Sequence, residues 1–214
     1  LGSILTMTKN FGEAFERLEA ALPLFLKVWD RIGEAKTYRA LGDLTRARGD
    51  FEASYQYFRD ALEIHALESE IGAMAEDFTD IASSEYQMGR LRRALLSITN
   101  AFRLHISLDD LGSTLKRLST MTAIARRIEG QLPTAIACQA MLASGMETLD
   151  PELSRELHDE IKTLLLEYQQ IATDEKVEAL LEALGTDVTA FHEECLAELL
   201  GDPSLAILHT DDQL

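Results

Sequence analysis

The chain repeats itself every forty residues. Leu41-Gly42 echoes Leu1-Gly2, Phe51 echoes Phe11, and Ala61-Leu62 echoes Ala21-Leu22. Gly89 returns one period after Gly49, and Ile81 one period after Leu41. A fixed period of this length means stacked supersecondary units, none of which can bury its apolar face alone. Such stacks offer extended surfaces to partners and seldom carry out chemistry, so the expected function is binding. Only four prolines and twelve glycines interrupt 214 residues, 46% of them hydrophobic. That composition favours helices around a substantial core.

Each unit reads as two antiparallel helices, A and B. In the clearest one, helix A runs from about Glu34 to Arg48, with Tyr38, Leu41 and Leu44 on one helical face. Gly49-Asp50 breaks it, glycine suiting the left-handed helix end. Helix B follows from about Phe51 to Leu67, with Tyr55, Phe58, Ala61 and Leu62 as its inward stripe, and a short turn is expected near Ile71-Gly72. The next unit uses Ala75, Phe78, Ile81 and Ala82, then Leu91, Ala94, Leu95, Ile98 and Ala101. The third uses Leu115, Leu118 and Met121, then Leu132, Ala135 and Ile136, with Pro133 in a first turn where a missing N–H is tolerated. The first unit is partial. Leu1-Gly2 aligns with the middle of a helix A, so the chain reads as a fragment with a half-helix, and further domains, expected upstream.

These residues resemble the tetratricopeptide repeat family. Its pattern is a large residue, then Leu-Gly three residues on, then a small residue, an aromatic and an alanine in helix B. Here that is Tyr38, Leu41, Gly42, Ser54, Phe58 and Ala61, then Phe78, Ile81, Ala82, Ala94, Ile98 and Ala101. Residues 1–146 carry the resemblance, most loosely in the third unit, where Leu118, Met121, Thr122, Ala135, Gln139 and Leu142 stand. The forty-residue period looks like the longer-helix subgroup of bacterial regulators and polarity adaptors. The resemblance implies an all-α fold, a right-handed α-solenoid of antiparallel helix pairs. Gly42, Ser54, Ala82, Ala94 and Ala135 are small where helices A and B approach most closely.

Residues 147–201 depart from the pattern and read as an acidic helical cap, with 202–214 as a loose tail. Asp150-Pro151 starts a long helix by capping it, with Leu153, Leu157, Ile161, Leu164, Leu165, Tyr168 and Ile171 on one apolar face. Helices are expected at about Asp174–Leu184 and Asp187–Leu200, each stopped by a glycine. Net charge is −17, and it is uneven. Residues 1–146 hold 19 acids and 17 bases, whereas residues 147–214 hold 18 acids and three bases. That acidic third argues against nucleic acid, whose binding needs clustered Lys and Arg. No apolar run reaches the roughly 18 residues of a membrane span. Cys138 and Cys195 read as buried thiols in a reducing, cytoplasmic compartment.

In the resembling family, helix A residues turned away from the core line a concave groove. The same phase selects Lys36, Arg39, Asp43 and Arg46, then Glu76, Thr79, Ser83 and Tyr86, then Lys116, Ser119, Arg126 and Arg127. The cations would form two basic rims suited to an acidic or carboxylate-bearing peptide. Asp43 and Ser83 stand where the family's carboxylate clamps use Asn, so a clamp is not expected. His65 and His105, one period apart, read as helix-surface residues roughly 10 Å apart, too far to share a metal. His192 and Cys195 share a helix face but lack further ligands, so no metal and no cofactor is expected. No phosphate loop, nucleophile elbow or His-Glu-x-x-His helix is present, and no enzyme is expected. The resulting reading is a protein–protein interaction scaffold within a larger regulatory or signalling protein. Alternatives are a sensory arm of a multidomain enzyme or transcription regulator, self-inhibition by the acidic C-terminal region, and a homodimer through exposed repeat ends.

Overall fold

A computed structural model describes residues 2–200, with side chains described at 11–192, 194, 195 and 197. The chain forms ten helices over this range and, among the described residues, no strand. They are α1 (Gly2–Val28), α2 (Arg31–Ala47), α3 (Phe51–Leu67), α4 (Ile71–Gln87), α5 (Leu91–Ser107), α6 (Leu111–Ala125), α7 (Leu132–Met146), α8 (Pro151–Gln169), α9 (Asp174–Gly185) and α10 (Val188–Leu200). Two compact units divide at Arg90/Leu91. In the first, α1 packs on α2, α2 on α3 and α3 on α4; in the second, successive packing runs from α5 to α8, and α10 returns to α7. Each unit is therefore all-α, built of consecutively packed helices, as the period predicts.

The turns explain the period. From α2 to α5 every helix is 17 residues long. Gly49, Gly89 and Gly130 take positive φ (81°, 73° and 80°) at the A-to-B turns. Trp29, Ser69 and Asp109 take positive φ (58°, 58° and 54°) at the B-to-A turns. A left-handed residue satisfies the last carbonyls of one helix and aims the chain back. After Trp29, Gly49 and Asp109 the next residue is an aspartate that caps the following helix. Side chains of Asp30, Asp50, Asp110 and Asp150 accept hydrogen bonds from the backbone N–H of Gly33, Ala53, Ser113 and Leu153. This matches the preference for Asp where the first N–H groups lack partners.

Within the first unit, Tyr55, Phe58 and Ile81 form a buried cluster with Leu62 and Met88 against it. Gly42 is small for a measurable reason: a Cβ there would lie 2.7 Å from the Phe58 ring. Ser54, on α3, is fully buried and bonds through its hydroxyl to Ser84 on α4 at 3.1 Å. In the second unit Ala94, Ala135, Ile136 and Met121 are fully buried, and the Ser154 hydroxyl donates to the Ala143 carbonyl at 2.9 Å, seating α8 on α7.

Four expectations need correction. The first element is one 27-residue helix, not half of helix A followed by helix B. Lys9 stands where Gly49 turns the chain, and lacks glycine's freedom to do so. The turn expected at Ile71-Gly72 lies earlier, at Glu68–Glu70, because Ser69 takes the left-handed conformation. Ile171 is 72% exposed, since α8 ends at Gln169 and the chain leaves the apolar face. His65 and His105 are buried rather than on the helix surface. The expected tail, 202–214, and the stop at Gly201 lie outside the described residues.

Gly42→Ala is predicted to destabilise the chain by about 1–3 kcal/mol in denaturant unfolding, because the fully buried Phe58 ring cannot move aside. Gly72→Ala meets nothing within 4 Å and should be neutral or slightly stabilising.

Candidate functional site

The candidate residues fall on α2, α4 and α6, the A helices, and each unit holds its own share. In the first unit, Lys36 and Asp43 are exposed on α2, while Arg39 and Arg46 are half-buried. On α4, Glu76 is exposed and Thr79, Ser83 and Tyr86 are half-buried. In the second unit, Lys116, Ser119, Arg126 and Arg127 are all exposed. Steps of three and seven residues put Lys116, Ser119 and Arg126 on one side of α6 and its C-cap.

The two arginines of α2 converge on acids that the sequence did not single out. Arg39 Nη2 donates to Asp80 Oδ2 at 2.8 Å, and Arg46 Nη1 donates to Asp80 Oδ1 at 2.6 Å. Both carboxylate oxygens of Asp80 are therefore engaged. Arg46 Nη2 also donates to Asp43 Oδ1 at 2.5 Å, and its guanidinium lies 5.2 Å from the centre of the Phe58 ring. Arg39 Nε sits 3.1 Å from Asp77 Oδ1, at ion-pair distance without making a hydrogen bond. Asp77 Oδ2 lies 2.6 Å from His65 Nδ1, and both side chains are buried. The network thus ties α2, α3 and α4 together through Arg39, Asp77 and His65.

Burial sets the chemistry of Asp77. Removal from water pushes its pKa up to about 6, against the hydrogen bond and charge of His65 and the charge of Arg39, which lower it. Charged groups in such networks stay put only if each keeps its partner. Arg39 and Arg46 therefore form an internally neutralised mosaic with Asp43, Asp77 and Asp80 rather than an open basic rim. The exposed cations of the candidate set are Lys36 in the first unit and Lys116, Arg126 and Arg127 in the second.

Residues 1–66 match the family model described as tetratricopeptide repeat. That segment, just under a third of the chain, is similar to tetratricopeptide repeats. Repeats of this family serve as protein-interaction scaffolds. Among solved structures, one titled as a Podosopora anserina putative kinesin light chain with nearly identical TPR-like repeats is similar at 13% identity, covering 78% of this chain and 92% of that one, with a TM-score of 0.40. A substituted form of the same protein gives 14% identity, 77% and 91% coverage, and a TM-score of 0.40. No curated protein matches the chain.

The remaining sequence candidates take structural places among the packed helices of the second unit. His105 Nδ1 lies 3.5 Å from Asp110 Oδ2, and Asp110 also caps α6. His192 is buried edge-on against Phe102, ring centres 6.3 Å apart. Cys138, on α7, is buried, and burial raises its thiol pKa well above the ordinary value. Among the described residues, no three His, Cys, Asp or Glu side chains gather as metal ligands would, and no helix is long and apolar enough to cross a membrane. Asp77 and Asp80 were missed because they lie 34–41 residues from the arginines they hold. The available signal was opposite charge on the A helices of neighbouring repeats.

Two predictions follow from the network. Arg39→Glu should destabilise the first unit by about 2–3 kcal/mol, discounted from the fully buried case because Arg39 keeps 28% exposure. Thermal or denaturant unfolding of the whole chain measures this. Asp77 binds its proton more tightly when folded, so its stabilising contribution is full below about pH 4 and lost as pH rises through about 6. The difference in unfolding free energy between the native chain and Asp77→Asn should therefore shift by on the order of 1–3 kcal/mol between pH 4 and 7, the native chain faring relatively better at low pH.

Proposed function

We propose that the chain is a protein-binding scaffold whose A-helix faces hold a peptide or partner protein, as part of a larger regulatory or signalling protein. The observation that carries this reading is the exposed stripe Lys116, Ser119 and Arg126 on a packed helix, in a chain whose residues 1–66 match the tetratricopeptide repeat model. These side chains extend from a packed helix whose opposite side, Leu115, Leu118 and Met121, is buried. A rigid helix presenting polar groups at helical spacing suits a partner laid along it. The partner chemistry we favour in the second unit is acidic, set by Lys116, Arg126 and Arg127. In the first unit, Lys36, Asp43, Glu76, Thr79, Ser83 and Tyr86 offer both charges and hydroxyls, with Arg39 and Arg46 shaping that face from beneath. Binding here is recognition without chemistry, and the two cysteine thiols suit a reducing, cytoplasmic setting.

The test is capture from native lysate by the intact chain and by Lys116→Glu/Arg126→Glu, with captured proteins identified by mass spectrometry. Both residues are exposed, so the variant keeps its fold, which circular dichroism checks. Selective loss of acidic partners from the variant is the expected outcome. An identical capture list would move the binding surface off α6.

A further inference from the structure

A second surface in the first unit has the opposite chemistry. Phe15 on α1, Tyr38 on α2 and Tyr57 on α3 meet as a ring cluster. Phe15 and Tyr57 are edge-on with centres 6.4 Å apart, and Tyr38 stacks on Tyr57 at 6.4 Å and 27°. All three are half-buried, so each keeps part of its surface open. None belongs to the A-helix stripe described above.

Each ring has an acid one turn away on its own helix. Glu19 follows Phe15 by four residues, Asp60 follows Tyr57 by three, and Glu34 precedes Tyr38 by four. Glu34 is buried and held by Arg31 at 2.6 Å. Arg17, the exposed cation of α1 nearest Phe15 in sequence, is held by Glu13 at 2.6 Å. Glu19 and Asp60 have no ion-pair partner among the described residues; Asp60 accepts one hydrogen bond, from Gln56 at 3.0 Å. The negative field reaches the phenols. Burial first, then Glu34 and Asp60, raise the Tyr38 pKa, and burial, Glu19, Asp60 and Asp50 raise that of Tyr57. Asp60 thus acts on both hydroxyls.

We propose that Phe15, Tyr38 and Tyr57, with Glu19 and Asp60, form a docking site for a lysine or arginine side chain of a partner protein. Ring faces are negative and attract a cation placed over them, and Arg stacks on such rings more readily than any other cation a protein carries. Two unpaired carboxylates at the rim add the complementary charge. Three rings fixed by packing between helices lose little freedom on binding, which is what makes aromatic clusters effective anchors. An apolar partner would leave the two acids facing an uncharged surface, and an acidic one would be repelled. The site is independent of the A-helix reading and stands or falls separately.

The test uses the whole chain with ring-labelled tyrosine, followed by NMR as acetyl-Ala-Arg-Ala-amide is added. The same peptide with citrulline for arginine, which keeps the shape and loses the charge, is the control. Tyr→Phe variants assign the five tyrosines. Saturable shifts of Tyr38 and Tyr57 with the arginine peptide, and none with citrulline, are expected. Asp60→Asn should weaken the apparent affinity about threefold, as loss of one half-buried charge contact at the edge of the cluster does. Glu178→Gln, an exposed change on α9, should leave it unaltered. Equal shifts with both peptides, no shift of Tyr38 and Tyr57, or an Asp60→Asn variant that binds as tightly as the native chain would overturn the proposal.

Discussion

The punctuation of the backbone every twenty residues is the constraint on which the rest depends. A residue of positive φ stands in each turn from α1 to α7, and after Trp29, Gly49 and Asp109 an aspartate caps the next helix. The spacing holds from Trp29 through Gly49, Ser69 and Gly89 to Asp109, and slips by one residue only at Gly130. Helix length fixes which residues of neighbouring helices stand opposite one another, and so fixes where small residues are required. Gly42 facing Phe58 is one result. The Ser54–Ser84 hydroxyl pair is another, both side chains fully buried between α3 and α4. Trp29 is the costly member of the series, because a bulky side chain rarely adopts this backbone. It is also 86% exposed, so packing does not repay the strain there.

Charge is handled differently at different depths. Beneath the A helices of the first unit, Asp80 receives both Arg39 and Arg46, and Asp77 receives Arg39 and His65. Such pairs add little net stability relative to apolar packing, but they define one arrangement of three helices, since every misplacement strands a charge in the interior. Farther out, Lys36, Lys116 and Arg126 face solvent and remain available for recognition. The scaffold and the proposed recognition surface thus use the same residue types, separated by burial. The aromatic cluster of Phe15, Tyr38 and Tyr57 has the opposite polarity from the α6 stripe, so the two proposed surfaces suit chemically different partners.

Much of the fold was legible because repetition reports packing directly. Helix B at Phe51–Leu67 matched to the residue, since Asp50 and Gly49 mark its start and Phe58, Ala61 and Leu62 its buried side. The N-terminal boundary failed where Lys9-Asn10 aligned with Gly49-Asp50 in number but not in chemistry. The B-to-A turn expected at Ile71-Gly72 lies earlier because serine does not advertise the left-handed backbone that Ser69 takes. The histidines were misjudged because a polar side chain is read as exposed unless its partner is known. The partner of His65 is Asp77, on the next helix. The candidate face was legible in phase but not in charge balance, which depends on contacts between residues in different repeats.

Residue-resolved hydrogen exchange on the intact chain tests the central claim most directly, since amide protection reports where each helix begins and ends. The account predicts protected segments of about four to five turns broken by fast-exchanging amides at twenty-residue spacing, and one unbroken segment through Lys9-Asn10 as far as Val28. Protection running across Gly49 or Ser69, or a break at Lys9-Asn10, would contradict it.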